Sequence, residues 1–377
     1  MKQKLIEIAK LFLKLGFIAF GGPAAHIAMM EEEVVTRRKW MSRQHFLDLM
    51  GATNLIPGPN STEMTMHCGH ERAGWPGMII AGICFICPAV LITGVFAWMY
   101  VEYGHIPVVE PFLYGIKPAV LVIILSAVFK LGRKAAKNYK LILLGLVVIA
   151  VNLMGVSEIV VILGAGVIGM LWMGNPWSNQ KNIIQKGWMP LGLVPLAGAT
   201  VQTVSNSKLF LIFLKMGAVL FGSGYVLVAY LEGELVTKLK WLTESQLLDA
   251  IAIGQFTPGP VLSTATFIGY QINGINGALV ATAGIFLPSF FLVLLLNPFV
   301  SRLRKSKWAA AGLDAVNIAA VGVMIAVTYR LGINILVDWK AWLIAGLALF
   351  FTFGRREWGV VWMVVASSVL GYLLSLF

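Results

Sequence analysis

Apolar residues in this chain come in long runs. "MIIAGICFICPAVLITGVFAWMY" (78–100) carries no charge, and comparable runs lie near 111–131, 141–156, 158–173, 276–299, 308–329, 341–353 and 358–377. A helix crosses a bilayer with about 20 apolar residues. The pattern therefore predicts an all-α polytopic membrane protein, with the lipid bilayer as its surroundings. Two interruptions stand out: "NLIPGPNSTEM" (54–64) and "QFTPGPVLSTA" (255–265) each place a Pro-Gly-Pro and a cluster of small polar residues beside apolar runs. The opening "MKQKLIEIAKLFLKLGF" has lysines within its apolar part and does not read as a signal peptide.

Composition agrees, with 58% hydrophobic and 12% charged residues against roughly 25% charged in soluble domains. The formal net charge of +12 reads as basic loops on the cytoplasmic side of a membrane rather than as a nucleic-acid surface. Cys84 and Cys87 form a C-x-x-C inside an apolar helix with no second pair, which points to helix packing rather than to a metal site. "HCGHE" (67–71) is not the zinc motif H-E-x-x-H.

The chain repeats itself. "FLKLGFIAFGG" (12–22) returns as "FLKMGAVLFGS" (213–223), and 12–59 against 213–260 gives 18 identities in 48 positions, where chance gives about three. Lys14/Lys215, Glu33/Glu234, Asp48/Asp249 and Pro57-Gly58-Pro59/Pro258-Gly259-Pro260 all match at an offset of 201. After a one-residue gap, Gly69, Gly74, Gly77 and Pro88 match Gly269, Gly274, Gly277 and Pro288. This predicts an N-terminal repeat at 1–173, a linker at 174–207 with room for one extra span, and a C-terminal repeat at 208–377.

Loop charges predict that the repeats are inverted. Segment 100–111 has no Lys or Arg and 300–308 has four; 130–140 has five and 330–340 two; 36–43 has four and 237–244 two. Positive loops face the cytoplasm, so the bias changes sides between halves, as inverted repeats require. With 36–43 and 130–140 on one side, 46–75 must enter and leave on that side as a hairpin turning at Pro57-Gly58-Pro59. "FGGP" (20–23) marks a second break, and inversion requires "WMPLGLVPLAGATVQ" (188–202) to cross as well.

Broken helices at membrane depth expose backbone groups that only protein or a wet cavity can satisfy. A helix restarting at the break presents free N–H groups and the positive end of its dipole, which favour anions. On this basis Gly21, Gly22, Pro23, Gly58, Asn60, Ser61 and Thr62, with Gly222, Ser223, Gly259, Ser263 and Thr264 in the second half, are candidate anion-binding positions. Lys14 and Lys215 lie six residues before Phe20 and Phe221. They are expected to be an unpaired, pseudo-symmetric pair offsetting a bound charge, snorkelling to headgroups being the plainer reading. Glu63, Asp48, Asp249 and Arg72 are candidate coupling or gating residues. For Glu63 a proton relay, a gate and a structural pair with Arg72 all remain open.

The order of "FLKLGFIAFGGP", "NLIPGPNSTEM", "HCGHERAGWPG", "AGICFICPAVLI", "FTPGPVLSTATFIGY" and "GIFLPSFF" resembles the two-domain chromate ion transporter family. The resemblance implies a plasma-membrane secondary carrier, not an enzyme, that exports chromate and gives resistance, with sulfate as substrate of some members. It implies no cofactor and leaves a homodimer open. Family motifs fall on Phe20-Gly21-Gly22-Pro23, Pro57-Gly58-Pro59, Asn60, Glu63, Gly69, Arg72, Gly74 and Pro258-Gly259-Pro260. Two other readings compete: a proton-coupled cation carrier using Glu63, Asp48 and Asp249, and an intramembrane enzyme using His67, His70 and Cys68.

Overall fold

The computed structural model describes residues 1–376 except 21, 54–55, 105, 174–203, 222–223, 297–306 and 355–358. Among them there are helices and no strands. The first half contains α1 (Lys2–Ile18), α2 (Pro23–Glu31) running into a π-turn (Glu32–Arg37), α3 (Arg43–Thr53), α4 (Asn60–Tyr103), α5 (Glu110–Ala135), α6 (Tyr139–Leu153) and α7 (Glu158–Met173). The second contains α8 (Asn206–Val219), α9 (Leu227–Leu231) between a 3-10 turn (Gly224–Val226) and a π-turn (Glu232–Lys238), and α10 (Glu244–Phe256). After a 3-10 turn (Val261–Ser263) come α11 (Thr264–Leu296), α12 (Lys307–Ile335), α13 (Trp339–Phe353) and α14 (Val360–Ser375). The expected crossing at 188–202 lies outside the described residues.

Equivalent side chains start equivalent helices. Asn138 Oδ1 accepts from Leu141 N ahead of α6, and Asp338 Oδ1 from Ala341 N ahead of α13. Ser42 Oγ accepts from His45 N, and Thr243 Oγ1 from Gln246 N within a capping box. Each such cap satisfies one of the donors left free in a first helical turn.

Within α4 the backbone leaves helical geometry at Ala73 (φ −148°) and Gly74 (φ 64°), and within α11 at Asn273 (φ −147°) and Gly274 (φ 56°). Residues eight apart in a straight helix are about 12 Å distant. Here Gly69 lies directly against the Gly77 carbonyl, and Gly269 against that of Gly277, so closely that a Cβ would overlap backbone. Each helix is therefore a hairpin, a short arm (60–72) folded back on a long one (75–103). Small residues are what allow two backbones to approach in this way.

The long arms pack on the helix that opens their own repeat: Gly16 sits against the Phe85 carbonyl and Pro88, and Gly217 against that of Ile285 and Pro288. The later helices exchange partners. Gly115 of α5 meets Ser367 and Gly371 of α14, while Gly166 and Gly169 of α7 meet Val316 and Ala315 of α12. Equivalent helices α5 and α12 run antiparallel. Near the end of α5, Lys137 pairs with Asp314 early in α12 (2.6 Å), and near its start Tyr114 donates to Asp338 just beyond α12 (2.5 Å).

By length and composition, 60–103, 110–135, 261–295 and 310–335 contain membrane-crossing helices. The apolar helices α6, α7, α13 and α14 are shorter. Trp98, Leu146, Leu171, Phe291, Phe350 and Trp362 stand exposed on the outside.

Candidate functional site

The two Pro-Gly-Pro turns are tied to opposite repeats. Gly58 N donates to Leu220 O (2.7 Å), and Gly259 N donates to Ala19 O (2.9 Å). These bonds are symmetry equivalents, each joining a turn to the residue after α8 or α1, where that helix breaks. His26 Nε2 lies 3.0 Å from the same Ala19 carbonyl. All four breaks thus meet at one point, around a small cavity of about 10 Å³ lined by Pro23, His26, Ser61, Gly224 and Pro260, among others.

Pro23 and Gly224 also border a much larger vestibule of about 770 Å³. Its wall includes Asn60, Lys134, Lys137, Asp314 and Asn317. Pro23 and Asn60 are the first residues of α2 and α4, so two helix N-termini border the space. Proline suits that first position because it lacks the N–H that would go unsatisfied. Lys134 and Lys137 add positive charge at the mouth, Lys137 shared with Asp314. The same wall also carries the carboxylates of Glu31 and Asp314.

The symmetry is broken in one polar detail. A Cβ on Gly58 would overlap the Glu63 carboxylate and stand 2.6 Å from Ser289 Oγ, whereas on Gly259 it would meet the Ala89 methyl at 2.9 Å. By repeat position Glu63 matches Thr264 and Ser289 matches Ala89. Glu63 is wholly buried, and among the described residues neither it nor Ser289 has a hydrogen-bond partner of good geometry. A third polar group sits between the repeats, where Thr93 Oγ1 donates to Ser263 Oγ (3.2 Å).

The structure gathers many of the sequence candidates here. Pro23, Asn60 and Ser61 line the cavities. Gly22 precedes α2 at φ 80°, its carbonyl accepting from His26 N. Thr62, Ser263 and Thr264 are buried behind the turns, with Thr264 Oγ1 donating to Val261 O. Gly21, Gly222 and Ser223 fall outside the described residues.

Other expectations are corrected. Lys14 and Lys215 are not unpaired: Lys14 Nζ bonds Glu33 (3.1 Å) and Lys215 Nζ bonds Glu234 (3.3 Å), symmetry equivalents again. Burial works against the Glu33 charge, but the bonds from Lys14 and Arg38 outweigh it and hold the carboxyl below its usual range. A depressed carboxylate keeps its contribution at neutral pH and loses it only as acid titrates it. Lys14 is half exposed, so Lys14→Gln is expected to lower stability by no more than about 1 kcal/mol, read as a small shift in thermal unfolding in detergent. Arg72 pairs with Glu7 (2.8 Å), not with Glu63. Asp48 and Asp249, twins in sequence, part company: Asp48 is near the surface beside Gln44, while buried Asp249 accepts from Tyr100 Oη (2.8 Å).

Sequence reasoning missed Ser289, Thr93, Asn317 and the role of Lys134 and Lys137 in the vestibule wall. Ser289 follows the matched Pro288, which was the available signal. Among the described residues no three His, Cys, Asp or Glu side chains gather as metal ligands.

The family model described as "Chromate transporter" matches residues 6–170 and again 207–372. The chain belongs to the chromate transporter family. Among curated relatives, a "Chromate transport protein" of Cupriavidus metallidurans is 30% identical over 97% of this chain and 92% of its own length. A "Probable chromate transport protein" of Synechococcus elongatus is 32% identical over 92% and 89%. A "Chromate transport protein" of Pseudomonas aeruginosa is 28% identical over 96% and 91%. No solved structure matches. This chromate transporter family member is a multi-pass membrane protein.

Proposed function

We propose that this transporter carries chromate out of the cell through a site between its repeats, conferring chromate resistance. The observation that carries the reading is the reciprocal pair of bonds from Gly58 to Leu220 and from Gly259 to Ala19, which ties each Pro-Gly-Pro turn to the end of the helix that opens the opposite repeat. Helix N-termini, hydroxyls and backbone amides there suit a tetrahedral dianion, which needs many donors and positive dipoles. The loop charges put Lys134 and Lys137 on the cytoplasmic side, where they would draw the anion into the vestibule.

Energetics favour export. At about 2.3 kcal/mol per charge per 100 mV, an inside-negative potential drives a dianion outward by about 4.6 kcal/mol. That is roughly three decades of concentration. The sequence contains no G-x-x-x-x-G-K-[ST] loop, so the potential rather than a bound nucleotide is the natural source of work. Inside-out vesicles given radiolabelled chromate and a lumen-positive potential are expected to accumulate it, and excess sulfate measures how far the site discriminates. Vesicles that take up no chromate, or that carry a cation instead, would refute the reading.

A further inference from the structure

The open vestibule occupies only one of the two places that the repeat symmetry provides. Among its lining residues, Ala28, Glu31, Met50, Leu131 and Asn317 match Ala229, Glu232, Ile251, Leu331 and Lys117 by repeat position. Where the first set faces a large cavity, Ala229, Glu232, Ile251 and Leu331 are all 0–2% exposed. One sequence pattern, laid down twice, is open once and packed shut once.

What shuts the second place is polar. Tyr100 of α4 donates to Asp249 of α10, across the repeats, and among the described residues the Asp249 Oδ1 has no hydrogen-bond partner. Glu232 is held by Arg330 of α12 (3.5 Å), which also lies 3.7 Å from Glu158 of α7. Buried charge pairs add little net stability over apolar packing, and their groups regain hydration when separated. A seam held this way can open at lower cost than a greasy one.

Charge is redistributed between the two places. The vestibule lysines Lys134 and Lys137 are matched by Asn334 and Val337, while Asn317 in the open wall is matched by Lys117. At these matched positions the closed place has two cations fewer and one more. We infer that it is a second vestibule, opening to the opposite side as the first closes, and that Lys117 receives the anion there. The role of Lys117 rests on the anion-carrier reading above; the existence of the second vestibule does not.

The test uses the full-length protein with Cys68, Cys84 and Cys87 replaced, compared throughout with the parent. Single cysteines go in at the equivalent positions, Ala28→Cys and Ala229→Cys, and a membrane-impermeant maleimide is applied from each side. Ala28→Cys is expected to label from the Lys134 side. Ala229→Cys should resist in the resting protein, and should label from the opposite side when Asp249→Asn or Tyr100→Phe is added. Labelling of both cysteines from one side, or protection of Ala229→Cys in both loosened variants, overturns the second vestibule. Opposite-side labelling without any chromate flux would sink the chromate reading and leave this vestibule standing. For Lys117, Lys117→Gln should lower chromate flux at least several-fold with Ala28→Cys labelling unchanged, and Lys117→Arg should keep most of it. Parent-like flux in Lys117→Gln removes that residue from the path.

Discussion

Leucine in place of Gly58 is expected to abolish chromate flux while leaving the protein folded in the membrane. Gly58 adopts φ 144°, a conformation open to glycine and costly to other residues. Strain of that kind costs on the order of 1–3 kcal/mol, and forcing a side chain into a filled space adds about 1–3 more. The space here is filled by the Glu63 carboxylate and Ser289. Neither can retreat into water. The turn would move instead, and its amide would leave Leu220 O, to which it is tied across the repeats. Since the repeats are also joined through α5, α12 and the helices around them, the fold should survive the loss of this contact. Gly259→Leu should act alike, through the Ala89 wall and the bond to Ala19 O. Flux in vesicles, normalised to membrane-inserted protein and checked by gel filtration in detergent, decides the matter. Normal transport in either leucine variant would make the turn peripheral scaffolding.

The breaks were legible in the sequence because their chemistry is local. Pro-Gly-Pro constrains its own backbone whatever surrounds it, and its recurrence at an offset of 201 survives drift elsewhere. The partners of those turns were not legible. Gly58 N and Leu220 O are backbone atoms, so their bond leaves no side-chain signature. The lysines show a different failure. In the sequence Lys14 stands beside the break it precedes, yet its partner Glu33 comes back to it from beyond that break, through α2. A clue was present, since Lys14 and Glu33 recur together as Lys215 and Glu234. Asp48 and Asp249 diverge for a reason outside their own segments. Tyr100, which holds Asp249, is matched by Val300, so the repeats kept the acid and lost one of its two environments.

Removing Arg330 is expected to be the most damaging single change to stability. Its guanidinium donates to Asn152 Oδ1 (2.9 Å) and lies within 4 Å of both Glu158 and Glu232. Glu232 is almost wholly enclosed, its other oxygen accepting from Thr237 Oγ1. Arg330→Met would leave two carboxylates facing each other in a poorly solvated seam, and uncompensated buried charge of this kind costs about 3–5 kcal/mol. Arg330→Lys should recover only part of that, because a shorter, more strongly hydrated ammonium does not replace the terminal guanidinium nitrogen that reaches Asn152, Glu158 and Glu232. Adding Glu232→Gln to Arg330→Met removes one stranded charge and keeps an amide oxygen for Thr237, so this double variant should be more stable than Arg330→Met alone. Thermal unfolding in detergent measures all three. The same seam closes the second vestibule, so Arg330→Met should also render Ala229→Cys reactive from the side opposite Lys134. Unchanged stability in Arg330→Met would mean that water already screens these charges and that the seam is open in the resting protein. Lost stability with Ala229→Cys still protected would show that the network braces the fold without acting as a gate.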